Sequence, residues 1–276
     1  MKHSMVTAVI ASTVVWLAAS PPRLAAQARS TETANAAKTV SPAPRMPDGH
    51  PDLSGVWWRG ADIGGRGGAP LAGPRGGGRG TEPPPTFAGL YQPWAQAKAK
   101  TLRDKDDPAL SCTSTAFGTL NVSLFDVGAV GQIVQTPKFV IMLSETYHGY
   151  QSIPTDGRPH RDTQPPANRG DAVGHWEGDT LVVDKTNFTD TSWISAEGRV
   201  SFHSDALHIV ERYHRVDANT LEIEATLEDP KVLTKPWIVP KQTLVLAPFD
   251  QLLTLDCSGE EVKSLIDAAQ KDPVKN

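Results

Sequence analysis

The chain has 276 residues and a formal net charge of −4. That length accommodates one large core or two small ones, and the mild negative charge gives no electrostatic footprint for nucleic acid. Beyond the first residues no stretch is apolar enough to span a bilayer.

The chain opens with a positive Lys2, an apolar run from Met5 to Ala19, and Ala26-Gln27-Ala28, an A-x-A cleavage site. The run is shorter than the roughly 20 residues a membrane span requires. The sequence therefore predicts a signal peptide over residues 1–28 and an exported mature chain, periplasmic or extracellular, with no stable membrane insertion. Residues 29–49 are rich in Ala, Thr, Ser and Pro without periodicity and are expected to be disordered. A single β domain is expected over 50–270, interrupted by a disordered Gly/Pro/Arg-rich insertion at 59–86. The Arg-Gly repeats there lack the strand-to-helix setting of a phosphate loop.

Pro51 to Trp58 reads as a short strand with a glycine before its tryptophans. Pro93 to Lys105 reads as a helix with Trp94, Ala97 and Leu102 toward the protein. From Gly131 the pattern turns to strands: Val130–Gln135, Phe139–Tyr147, Gln151–Ile153, then a hairpin of Val173–Trp176 and Thr180–Lys185 about Glu177-Gly178-Asp179. Leu207–Val216 and Thr220–Leu227 form the next hairpin, with Asn219 suited to a left-handed turn position. Lys235–Val239, Gln242–Leu246 and Leu252–Asp256 continue the meander. Ser258 to Glu261 is a capping box opening a terminal helix with Val262, Leu265, Ile266 and Ala269 on one stripe. Regular strands without intervening helices favour a mainly β fold, an antiparallel meander closing into a barrel-like structure that can hold one small ligand.

Strand side chains alternate faces, so Leu207, Ile209, Glu211 and Tyr213 share one side, as do Phe139, Ile141, Leu143, Glu145 and Tyr147. A carboxylate on an apolar face must be partnered or functional. If Glu145 and Glu211 share a cavity, burial and repulsion would raise one pKa and create an acid or base useful near neutrality. The structural alternative is a buried pair with Arg158 or a tyrosine hydroxyl, since alternation turns Arg212 away from Glu211. Asp156-Gly157-Arg158-Pro159-His160 gathers a carboxylate, a forked cation and an imidazole in one turn. Arg158 suits a carboxylate ligand, and His160 could orient a substrate. His203, Trp176 and Trp237 complete the candidate ligand contacts. His208 and His214, six residues apart on a strand, are roughly 20 Å apart and cannot share a metal. No metal site and no cofactor are called for.

Gly174 to Val183, His203-Ser204-Asp205, Glu211-Arg212-Tyr213, Asp229-Pro230 and Lys235-Pro236-Trp237 together resemble a large, uncharacterised family of exported bacterial proteins. The resemblance extends to Pro51–Trp57, Asp156–His160 and Cys257, and it implies one fold unit without an assured activity. The Gly-x-Trp triplet, the meander and the terminal helix are similar to the lipocalin and calycin superfamily, which implies a ligand cup. Cys112 and Cys257 are expected to form a disulfide in an oxidising compartment. The resulting expectation is an exported protein binding a small, partly apolar molecule. The alternatives are a cofactor-independent lyase, isomerase or hydrolase using a buried glutamate, and an envelope structural or interaction module.

Overall fold

The structure, a computed structural model, describes residues 41–59, 86–117, 130–145, 149–194 and 200–252. All of them fall within one unit, Val40–Asn276. The signal peptide, most of the Gly/Pro/Arg-rich insertion, Tyr147, Cys257 and the terminal helix lie outside the described residues.

The described strands are β1 (Gly55–Trp58), β2 (Val130–Gln135), β3 (Phe139–Ser144), β4 (Tyr150–Pro154), β5 (Asp171–Glu177), β6 (Thr180–Thr186), β7 (His208–Asp217), β8 (Thr220–Glu228) and β9 (Trp237–Leu246). They form one sheet in the order β4-β3-β2-β1-β9-β8-β7-β6-β5, with every neighbouring pair antiparallel. The result is a nearly closed, barrel-like, mainly β fold, consistent with a calycin-like barrel.

An odd number of alternating strands leaves the two edges, β4 and β5, running in the same direction, so they cannot close the barrel with another antiparallel ladder. They meet without one. A Cβ on Gly174 of β5 would lie 3.0 Å from Ile153 Cγ2 and 3.4 Å from the Pro154 carbonyl of β4. The Gln151 amide also donates across the seam to the Arg169 carbonyl at 3.0 Å.

Local chemistry explains the turns. Gly178 takes φ 59° between β5 and β6, a conformation that costs glycine little. The sequence pattern suggested two strands over 235–246, but they are one. Ile223 pairs with Gln242 and Ala225 with Val239, so Pro240 and Lys241 bulge opposite Glu224, which is where a residue without an N–H can be tolerated. Asn219 is not left-handed; its N–H is instead turned onto the Asp217 carboxylate at 2.7 Å. The helix is shorter than its pattern, α1 spanning Pro93–Ala99. It buries Ala95 and leaves Trp94 49% exposed, contrary to the expected inward Trp94.

Ser41–Gly49, expected to be disordered, is instead fastened to the barrel. Ala218 N donates to the Ser41 carbonyl at 2.9 Å, and Arg45 makes a forked pair with Asp179 of the β5–β6 turn. Beneath this segment, Trp57 donates to the Leu53 carbonyl at 2.9 Å and the Arg215 guanidinium lies 4.9 Å from the Trp57 ring centroid. Arg215 also donates to the carbonyls of Asp52 and Ala218.

Two apolar clusters fill the fold. One sits inside the barrel around Trp57, Ile133, Met142, Ile153, Leu181 and Tyr213. The other packs Ala95 of α1 together with Phe87, Tyr91, Phe188, Trp193 and Phe202 onto Leu227 and Trp237.

Candidate functional site

The expected phase of β3 is corrected by the structure. Val140, Met142 and Ser144 are its buried residues, while Phe139, Ile141 and Leu143 are only partly buried. Glu145 follows the strand on that second phase and is half-buried. It is therefore not an interior counterpart of Glu211 on an inward strand face.

The phase of β7 agrees with its alternation. Ile209, Glu211, Tyr213 and Arg215 are its buried positions, and Glu211 is only 1% exposed. Its partner comes from β6, where Leu181, Val183 and Lys185 are buried at alternate positions. Lys185 Nζ lies 2.7 Å from Glu211 Oε2 with both side chains sealed from solvent, and the Tyr213 hydroxyl donates to the same oxygen at 2.8 Å. Of the two partners considered for Glu211, the tyrosine hydroxyl is confirmed and Arg158 is not. Burial pushes the Lys185 ammonium below its ordinary value against the pull of Glu211, with Arg169 lowering it further. Burial, then Glu211, lifts the Tyr213 phenol well above its usual range.

Register extends this polar pair into a layer. Lys185 pairs with Ala172, Ala172 sits two residues from the Gly174–Ile153 contact, and Gln151 pairs with Met142. Lys185, Ala172, Gln151 and Met142 thus follow one another at one level along the β6, β5, β4 and β3 side of the interior, with Glu211, opposite Val183, at the next. Gln151 is buried. Lys185, Gln151 and Glu211 are buried polar groups beside the apolar cluster of Trp57, Met142 and Ala172.

The other expected site residues are dispersed. Asp156 and Arg158 form an exposed pair at 2.6 Å, and the Arg158 hydrogen bond lowers the Asp156 pKa to about 2; neither reaches the interior. Trp176 is half-buried with the His50 ring stacked on it at 4.5 Å. Trp237 is a core residue, edge-on to Phe87.

His203 is buried on Ser192. Its Nδ1 lies 2.9 Å from the Ser204 carbonyl, which fixes Nδ1 as the donor and leaves Nε2 to accept from Ser192 Oγ at 3.0 Å. Burial lowers its pKa, so the ring is held neutral. A serine and an imidazole in this arrangement could form an activated nucleophile, but Ser192 is 1% and His203 3% exposed, and the pair serves the core.

His160 stands outside the barrel in a carboxylate network that sequence reasoning missed. Its Nδ1 is 3.0 Å from Asp171 of β5 and its Nε2 is 2.8 Å from Asp184 of β6. Arg161 forks onto Asp171 at 2.7 and 3.0 Å. His208 of β7 contacts the second Asp184 oxygen at 2.9 Å and Glu228 of β8 at 3.6 Å. Burial opposes ionisation of Asp171 and Asp184, but Arg161 and His160 at the first and His208 and His160 at the second hold both below the usual carboxylate range. Burial likewise opposes the His208 charge, and Asp184 with Glu228 outweighs it, so its pKa is raised. Among the described residues no cluster of His, Cys, Asp or Glu is arranged to hold a metal ion.

Asp229-Pro230 and Lys235-Pro236, singled out as motifs, line an open surface cleft of about 580 Å³ with Gln92 and Leu233. Cys112 caps a 3-10 turn, Pro108–Ser111, in a left-handed conformation. Among the described residues no helix is long and apolar enough to cross a membrane. No family model, no curated protein and no solved structure matches the chain.

Proposed function

We propose that this is an exported binding protein whose ligand, a small and partly apolar molecule, is held inside the barrel with its polar end against Lys185, Glu211 and Tyr213. The observation that carries the reading is the desolvated Lys185–Glu211 pair. Removing two charges from water costs more than packing apolar side chains in their place, and strongly perturbed buried groups concentrate at functional sites. The apolar wall of Ile133, Met142, Ile153 and Leu181 suits the ligand's apolar body, and barrels of this size hold one small ligand.

A second reading makes the same triad catalytic, with Glu211 as general acid or base of a cofactor-independent lyase, isomerase or hydrolase. It is favoured by three titratable groups in hydrogen-bond contact at low dielectric. Export through the segment 1–28, membership of the exported bacterial family and pairing of Cys112 with Cys257 belong to the same proposal.

The test is mass spectrometry of what co-purifies with the protein from its own host's export compartment. Wild type is compared with the double variant Lys185→Met/Glu211→Leu, which replaces the pair by apolar side chains. A specific small molecule on wild type and none on a folded double variant supports the reading. Recovery of only a protein partner favours an envelope interaction module and rejects it.

A further inference from the structure

Lys185 stands among the buried positions of β6 with its ammonium 2.7 Å from Glu211 and its side chain sealed from solvent. Burial pushes its pKa below the ordinary lysine value, Glu211 pulls it back, and the Arg169 cation pushes it down again. A desolvated amine beside a second cation is the setting in which lysine becomes a nucleophile toward carbonyl compounds. The Tyr213 hydroxyl donates to the same Glu211 oxygen that holds the ammonium, so the carboxylate shares its charge between two donors. The residue facing Lys185 from β5 is Ala172, which sets only a methyl group at that register.

The buried pair restricts the covalent chemistry that the site tolerates. Glu211 is 1% exposed and needs a cation where Nζ stands. An acylated lysine is neutral and would leave the carboxylate uncompensated at low dielectric. A protonated imine keeps both the positive charge and an N–H to donate to the carboxylate. Aldehydes and ketones therefore suit this lysine, and acyl donors do not.

We propose that the ligand of the interior site is a small, partly apolar aldehyde or ketone, held covalently as a protonated imine on Lys185 with Glu211 as its counterion. The inference rests on the ligand-binding reading above and gives the ligand of that site its chemical class. The ammonium proton passes to the Glu211 carboxylate, and the freed Nζ lone pair attacks the carbonyl carbon. A C–N bond forms, the carbonyl π pair moves to oxygen, and a proton shifts from nitrogen to that oxygen to give a neutral carbinolamine. The Glu211 proton then goes to the carbinolamine hydroxyl and the C–O bond breaks. Water leaves as the nitrogen lone pair closes the C=N bond. The site ends as it began, with one cation at Nζ against one carboxylate, and no oxidant or reductant is consumed. Water reverses the sequence and frees the ligand.

The protein purified from its own host is treated with hydroxylamine to release any imine, dialysed, and incubated near neutrality with 2-naphthaldehyde and cyanoborohydride, which reduces an iminium to a stable amine. Peptide mapping then compares the rate of trapping at Lys185 with that at exposed lysines such as Lys98 and Lys100. Lys185 is expected to lead by about tenfold, the factor by which the neutral amine fraction grows for each unit that a lysine pKa falls. A lysine sealed only for structure is labelled last. The alcohol 2-naphthalenemethanol, which forms no imine, is titrated by its fluorescence and is expected to bind and to slow trapping at Lys185 alone. In Glu211→Gln the lead is expected to vanish; where that variant does not fold, competition by the alcohol on wild type decides. Trapping at Lys185 no faster than at Lys98, indifference of that trapping to the alcohol, or a lead that survives in folded Glu211→Gln overturns the imine. If the alcohol binds while Lys185 is not trapped, the interior-site reading stands and the imine fails. If neither probe binds, the interior-site reading fails and the imine with it.

Discussion

Lys185 and Glu211 meet at 2.7 Å from adjacent strands with essentially no exposure to solvent. A buried pair of this kind is expensive to break and inexpensive to replace. Removing one partner costs about 3–5 kcal/mol because the other charge is left uncompensated, whereas replacing both by apolar groups is close to neutral. Urea unfolding should therefore show Lys185→Met and Glu211→Leu each destabilised by about that amount. The double variant should recover most of it, and additive losses would rule out direct coupling.

Arg215 closes the other end of the barrel. It stacks over Trp57 and donates to the backbone carbonyls of Asp52 and Ala218, both part-buried. Arg215→Ala is expected to cost about 2–3 kcal/mol through lost cation–π contact and unpaired carbonyls. Arg215→Lys should recover little, since a single ammonium cannot reproduce the fork. Thermal unfolding of the two variants checks this, and full recovery by lysine would contradict it.

The outer network sets a pH window for stability. His208 has a raised folded pKa, so its contribution is complete below the unfolded imidazole value of about 6.5 and fades as pH rises through the folded value. Asp171 and Asp184 have lowered folded values. Their contribution is complete above the unfolded carboxylate value of about 3.9 and is lost as pH falls through the folded ones. Stability should be greatest between these limits, with an alkaline decline of under about 1 kcal/mol after solvent screening. His208→Gln should flatten that decline in unfolding curves collected between mildly acidic and alkaline pH.

The seam is sensitive to bulk at Gly174. A Cβ there already approaches Ile153, Leu181 and the Pro154 carbonyl at 3.0 to 3.4 Å. Gly174→Val should cost about 1–3 kcal/mol by overpacking and raise hydrogen exchange in β4 more than in β8. Uniform loss of protection over both strands would show that the contact is not local to the seam.

Cys112 is not a free thiol, and the proposed pairing predicts a Cys112–Cys257 peptide in a non-reducing digest. Recovery of alkylated Cys112 from the unreduced protein purified from its own host would contradict it.

Glu211 was legible in the sequence because Leu207, Ile209 and Tyr213 stand against polar neighbours on the other phase of the strand. The phase of β3 was not, because Phe139, Ile141 and Leu143 are as apolar as Val140 and Met142. On a strand apolar on both faces, alternation says nothing of which face is inside, and pairing with Ile153 and Gln151 of β4 decides it. Lys185 carried a readable signal in its alternation with Leu181 and Val183, masked by its position at a strand end between Asp184 and Thr186. The network around His160 draws on four strands and a connecting segment. Its members are far apart in sequence, and only the sheet register brings them together.

The most direct test of the interior site is native mass spectrometry of the protein purified from its own host beside its folded Lys185→Met/Glu211→Leu variant. The account predicts one bound small molecule on the former and an empty barrel in the latter. An empty wild-type protein, or equal occupancy of both, would contradict it.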